Sequence, residues 1–315
     1  MDAETKHIEW FSQDLDEPFL GYDIALNPTN LEFEILLTSS KSNSGYDGGK
    51  TFAFDFYSKE EIWSKENGDS WSGVNALVAG DVDMDGSGEV ITFGSRTYDG
   101  RVHVMNLDDG NLKYTAELEQ VLKSGLLEDM NNDGQMEILV GDSRGTITIL
   151  NGNDGSEYNS FTQIGSDVVE NLATTRNNQS VVDRIFALTR RDGVWFIDTE
   201  NNRVGKVGNS SVKLTSLATV FNQGWNIFVG DEDGQLFQLG ADLQVENTYQ
   251  LCQGPLTHMQ GFRDSELSFT CEECFGLFDF LSGEVLVRQG LERPVWRAQA
   301  YSIDNQLGGD TLVTS

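Results

Sequence analysis

The sequence predicts an all-β protein: a β-propeller of seven four-stranded antiparallel blades, its ring closed by the N- and C-terminal strands. Three observations lead there. A nine-residue acidic loop occurs twice, 48 residues apart, as Asp81-Val82-Asp83-Met84-Asp85-Gly86-Ser87-Gly88-Glu89 and Asp129-Met130-Asn131-Asn132-Asp133-Gly134-Gln135-Met136-Glu137. An apolar strand, a Gly-bounded turn and an alternating strand recur every ~40–50 residues, the spacing of propeller blades. No segment sustains a 3.6-residue period, which excludes helical solenoids.

The elements follow in order. In the first unit, 17–70, Ile35-Leu36-Leu37-Thr38 and Thr51 to Phe56 flank a long polar loop, Ser39 to Lys50. In 74–118, a hairpin runs from Ile91 to Met105 around Tyr98-Asp99-Gly100. In 122–164, Ile138 to Leu150 turns at Gly141-Asp142-Ser143-Arg144-Gly145. The units 168–210 and 213–251 repeat this, with turns at Arg191-Asp192-Gly193 and Gly230-Asp231-Glu232-Asp233-Gly234. In 254–291, Leu267 to Phe280 turns at Cys271-Glu272-Glu273-Cys274. Tight Gly turns between such runs are hairpin signals.

A more polar fourth strand follows most hairpins: Glu61 to Ser64, Leu112 to Thr115, Gln244 to Tyr249 and Glu284 to Val287. Polar character suits an edge strand, whose free backbone groups would otherwise template aggregation. The last unit, 294–315, holds Thr311 to Thr314. Ile8-Glu9-Trp10-Phe11-Ser12, within residues 5–14, is similar to Glu61-Ile62-Trp63-Ser64 and is expected to complete that unit.

The formal charge of −30 excludes nucleic acid and anionic membrane surfaces as direct partners, since counterion release would act in reverse. It suits cations and basic partners. No apolar run approaches the ~18 residues that span a bilayer. The polar start, Met1 to His7, is not a signal peptide.

The two loops carry the candidate chemistry. Oxygen side chains at positions 1, 3, 5 and 9 with Gly at position 6 meet the needs of a hard cation such as Ca²⁺. Four carboxylates within nine residues repel one another unless a cation neutralises them. Position 12 holds Thr92 and Val140, so neither loop is an EF-hand.

Set between an apolar strand and Ile91-Thr92-Phe93-Gly94, the pattern resembles the FG-GAP (VCBS-type) repeats of integrin-α-like propellers. The resemblance covers residues 76–150. It implies Ca²⁺-binding loops between the first and second strands of a blade. The implied ligands are Asp81, Asp83, Asp85, Glu89 and the Ser87 carbonyl in one loop. In the other they are Asp129, Asn131, Asp133, Glu137 and the Gln135 carbonyl. Glu stands at position 9 where the family usually has Asp, and the family's Gly-Ala-Pro tail is absent.

Two structural calcium sites favour a calcium-rich compartment, so the expectation is an extracellular, cell-surface or periplasmic protein whose signal has been removed. The single Cys271-x-x-Cys274 cannot build a four-thiolate zinc site and reads as a hairpin turn. A disulfide within that pair, or from Cys252 to one member, is expected. The three histidines, His7, His103 and His258, are scattered, and no nucleophile or phosphate-loop motif occurs. Arg190-Arg191 at a hairpin tip reads as solvated turn charge, able to meet an acidic group. Trp71, Trp195, Trp225 and Trp296 lie near blade starts or hairpins and read as packing between blades.

The function expected is a non-enzymatic, calcium-stabilised interaction module, binding protein or glycan on a propeller face that includes the loop Ser39 to Lys50. The alternatives are a propeller enzyme (lyase, hydrolase or quinoprotein) with an axial pocket, and a periplasmic assembly scaffold.

Overall fold

The computed structural model describes residues 19–39, 49–67, 72–96, 99–162, 164–207, 212–290, 297–301 and 310–314. The expected closing strand at 8–12, most of the loop 39–50, Trp71 and Trp296 lie outside them.

The described residues form six four-stranded antiparallel sheets and one two-stranded sheet. In each four-stranded sheet the strands lie side by side in chain order, the up-and-down blade of a β-propeller. The first sheet holds β1 (Phe19–Asn27), β2 (Glu32–Ser39), β3 (Lys50–Asp55) and β4 (Glu61–Glu66). The second holds β5 (Ser72–Gly80), β6 (Glu89–Arg96), β7 (Asp99–Asn106) and β8 (Leu112–Leu118). The third holds β9 (Leu122–Glu128), β10 (Glu137–Asp142), β11 (Ile147–Asn151) and β12 (Glu157–Phe161). The fourth holds β13 (Val169–Arg176), β14 (Val182–Thr189), β15 (Gly193–Asp198) and β16 (Arg203–Lys206). The fifth holds β17 (Leu214–Phe221), β18 (Trp225–Asp231), β19 (Gln235–Leu239) and β20 (Val245–Gln250). The sixth holds β21 (Leu256–Arg263), β22 (Glu266–Cys271), β23 (Cys274–Asp279) and β24 (Glu284–Gly290). Then β25 (Arg297–Tyr301) pairs with β26 (Asp310–Thr314), so a seventh four-stranded blade is not shown.

Two compact units emerge, one on the first three sheets and one on the fifth, sixth and most of the fourth. In the first unit, β1, β5 and β9 lie next to one another, so first strands pack against first strands. Ile91, Phe93, Val104 and Leu122 of the second and third sheets share one buried cluster with Ile138 and Val140. Leu36, Trp63, Leu77 and Val90 do the same between the first and second. In the second unit, β17, β21 and β25 are neighbours, and Phe228, Phe269 and Phe278 anchor the cluster between the fifth and sixth sheets. Each such side chain contributes about 1.5–3 kcal/mol on burial.

The hairpin turns repeat one chemistry. Asp142 Oδ1 accepts from the Arg144 and Thr146 N–H groups, both at 2.8 Å. Asp231 Oδ1 accepts from Asp233 and Gln235 at 3.0 and 2.8 Å. An aspartate that bonds the backbone two and four residues on replaces the ladder where the chain reverses. In the sixth sheet the turn is closed instead by a Cys271–Cys274 disulfide, while Cys252 is a buried thiol.

Fourth strands share a further feature. A register shift leaves one extra residue in the outer strand of five sheets: Ile62, Lys113, Tyr158, Glu246 and Leu286. A bulge of this kind re-aims the side chain it carries.

Candidate cation loops

Both acidic loops connect the first and second strands of a blade, β5 to β6 and β9 to β10. Their backbones are the same. Position 4 is left-handed, with φ of 58° at Met84 and 60° at Asn132. Position 6 is glycine at 88° and 89°, a conformation that L side chains rarely adopt.

Their hydrogen bonds match position by position. The carboxylate at position 1 accepts from the N–H at position 6, Asp81 from Gly86 at 3.1 Å and Asp129 from Gly134 at 2.9 Å. Position 3 accepts from position 5 at 3.4 and 2.9 Å. Position 5 accepts from position 7 at 2.8 Å in both loops. The position 9 glutamate reaches back to the N–H of position 2 at 2.9 Å in both, Glu89 to Val82 and Glu137 to Met130. Each loop therefore folds its oxygens inward and spends one lone pair of each on its own backbone.

Glu89 is fully buried and Glu137 nearly so. Burial pushes both carboxyls above their ordinary range. Single oxygens of Asp81, Asp83 and Glu89 lie within 4.8 Å of one another. Asp81 Oδ1 is buried without a hydrogen-bond partner.

The two loops differ in one respect that the sequence reading missed. The Lys113 ammonium, from the β8 bulge, donates to Asp83 Oδ2 at 2.6 Å, Glu89 Oε1 at 2.9 Å and Asp85 Oδ2 at 3.3 Å. Burial works against its charge, but the bonds and charges of Asp83 and Glu89 outweigh this and raise its pKa. The extra residue of β12 is Tyr158, which is exposed. Among the described residues no lysine or arginine forms an ion pair with Asp129, Asp133 or Glu137. Lys113 was legible only as a lone cation in a polar outer strand; aligning the blades through their bulges is the signal that places it over the loop.

Next to this site the Tyr114 hydroxyl donates to the Gly152 carbonyl. Its pKa is raised by burial and by the carboxylates of Asp154, Asp83 and Glu89. His103 lies 2.9 Å from Thr115 Oγ1, and burial, then the charge of Arg101, lowers its pKa; His258 is buried. Trp225 packs edge-on against Phe221, and Trp195 is half-buried.

In each blade the first-to-second and third-to-fourth connections leave by the same end of the sheet, as chain-order antiparallel strands require. In the first unit that end carries both acidic loops and three exposed apolar tips, Leu31, Tyr57 and Met84. Asn27 Nδ2 donates to Glu34 Oε1 at 2.8 Å and to Asp108 Oδ1 at 2.6 Å there, tying the first blade to the second.

No family model matches the chain. No curated protein matches it either. Among solved structures it is similar to the computationally designed Ika8 protein, with a TM-score of 0.63 and 13% identity over 90% of this chain and 78% of that one. At that identity the likeness is one of fold, and the fold is a β-propeller.

Proposed function

We propose that this chain is a non-enzymatic, calcium-stabilised propeller of the FG-GAP type that binds protein or glycan on one face, in an exported or cell-surface protein. The observation that carries this reading is the pair of loops with one backbone and one hydrogen-bond pattern, set at the same end of the first unit as Leu31, Tyr57 and Met84. Independent copies of a costly geometry argue for a shared ligand, and exposed apolar tips beside them argue for a docking face.

The donor set fits a hard cation. Asp129, Asn131, Asp133 and Glu137 with the Gln135 carbonyl would hold it in the second loop. In the first, Asp81, Asp83, Asp85 and Glu89 with the Ser87 carbonyl would do so, and the orphaned Asp81 Oδ1 fits a cation better than a plain turn. A bound Ca²⁺ would supply charge neutralisation and, by binding the folded loop alone, folding free energy. Lys113 already neutralises part of the first set, so the second loop is the stronger site. We also assign β25 and β26 to a seventh blade completed by residues 5–14, on the similarity of Ile8 to Ser12 with Glu61 to Ser64.

The test is a thermal melt in chelator with Ca²⁺ or Mg²⁺ restored. A Ca²⁺-selective rise that Asp129→Ala/Asn131→Ala abolishes supports the reading, and no rise overturns it. For the docking face, a photo-crosslinker at Tyr57 should capture a partner that Leu31→Ser/Met84→Ser loses.

A further inference from the structure

Among the described residues, a cluster of basic side chains lies away from the cation loops. A small recess of about 50 Å³ opens in the second unit between the β14–β15 hairpin, the end of β16 and the start of β17. Its charged lining is Arg190, Arg191, Lys206 and Lys213 against Asp192. The whole chain has 21 basic residues against 51 acidic ones, so four cations around one recess reverse the local sign.

Three separate segments bring these cations together. Arg190 and Arg191 stand in the hairpin turn, which closes through Thr189 Oγ1 donating to the Gly193 carbonyl at 2.9 Å. Lys206 ends β16 opposite Trp195, with its ammonium 5.9 Å from that ring, and Val207 N–H holds the strand end to Val194 O at 2.9 Å. Lys213 is fixed by its carbonyl, which accepts from Glu232 N–H at 3.0 Å, and by its own N–H, which reaches Glu232 Oε1 at 3.3 Å. The hairpin closes on this wall: a Cβ at Gly193 would stand 3.4 Å from Leu214 Cδ1 and 3.8 Å from Lys206 Cε.

Gathering like charges costs repulsion, which a bound anion removes. At physiological salt the Debye length is ~8 Å, so distant carboxylates are screened and the local balance is four cations against Asp192 and the Glu232 carboxylate beside Lys213. An arginine presents five N–H donors in a planar fork and a lysine three, a donor-rich lining for an anion. Paired forks with two ammonium groups suit a compact tetrahedral oxyanion.

We propose that this recess binds a phosphate or sulfate group, either free or carried on an oligosaccharide. The site lies in the unit without the cation loops and does not depend on the calcium reading.

The experiment is amide NMR on the full chain, titrated separately with inorganic phosphate, inorganic sulfate and a sulfated disaccharide. Saturable shifts at residues 191–193 and 213 are expected. They should weaken about tenfold or more in Arg190→Gln/Arg191→Gln, the scale for losing charged hydrogen-bond donors. The separate variant Lys206→Gln/Lys213→Gln should show the same loss and guards against a folding defect in the hairpin. Binding of the disaccharide but not the free anions assigns the carried form; binding of the free anions assigns the group itself. No saturation with any probe, or binding by either variant as tight as the parent's, overturns the proposal.

Discussion

The Lys113 ammonium lies 2.9 Å from Oε1 of Glu89, a side chain with no solvent exposure. The first acidic loop thus contains its own cation, delivered from a strand two positions away in the sheet. In Lys113→Met the glutamate stays buried and loses that partner. Unfolding by urea in chelator should show a loss of about 2–3 kcal/mol, the lower range for breaking a buried pair because the ammonium keeps some solvent. Added Ca²⁺ should restore more of the loss in this variant than it adds to the parent. Unchanged stability in chelator would show that the Lys113 contacts contribute nothing.

Gly134 adopts φ of 89°, and a Cβ there would meet nothing within 4 Å. Its replacement by alanine therefore tests backbone strain alone. Gly134→Ala should cost about 1–2 kcal/mol in urea unfolding, and Gly86→Ala, in the same conformation, a similar amount. A negligible cost at both positions would contradict the left-handed geometry.

Glu34 is buried beside Asp108 with one oxygen unpartnered, and burial raises its pKa above the ordinary 4.5, against the Asn27 hydrogen bond. A raised carboxyl in the folded state gives stability that is full below about 4.5 and lost as pH rises through the folded value. Glu34→Gln should therefore be more stable than the parent at pH 7 and converge with it near pH 4. Urea unfolding across that range checks this, and a parallel offset at all pH values would contradict it.

The Cys271–Cys274 disulfide closes a loop of only three residues in separation. Short loops remove little chain entropy, about 2 kcal/mol. In a chain of this size that corresponds to a few degrees. Cys271→Ser/Cys274→Ser should melt within about 5 °C of the parent under calorimetry. A much larger drop would mean that the turn depends on the crosslink.

The parts of the fold that were legible are those written in short stretches. The hairpins expected from Ile91, Ile138 and Leu267 begin in β6, β10 and β22, the second strands, and the turns expected at Arg191-Asp192-Gly193 and Gly230 to Gly234 follow the second strands β14 and β18. These strands are apolar on both faces because blades pack on both sides of them, and a Gly turn follows each. First strands such as β9, with Lys123, Ser124 and Gly125 among its residues, alternate too weakly to announce themselves. Six full blades follow from the same grammar; of a seventh, the described residues show β25 and β26.

The sequence by itself determined the two acidic loops. Their ligand spacing, their glycine and their turn all lie within nine residues, and the backbone bonds that shape them join positions two to seven apart. It likewise determined the repeat, since each hairpin is a local event. Tertiary structure alone decided what neutralises the loops. Lys113 reaches Glu89 through a bulge whose register depends on how β8 pairs with β7, and Tyr158 occupies the matching bulge beside the second loop. It also decided that Arg190, Arg191, Lys206 and Lys213 meet in one recess. Side chains from separate strands converge only when the sheets pack, and no local pattern records that event.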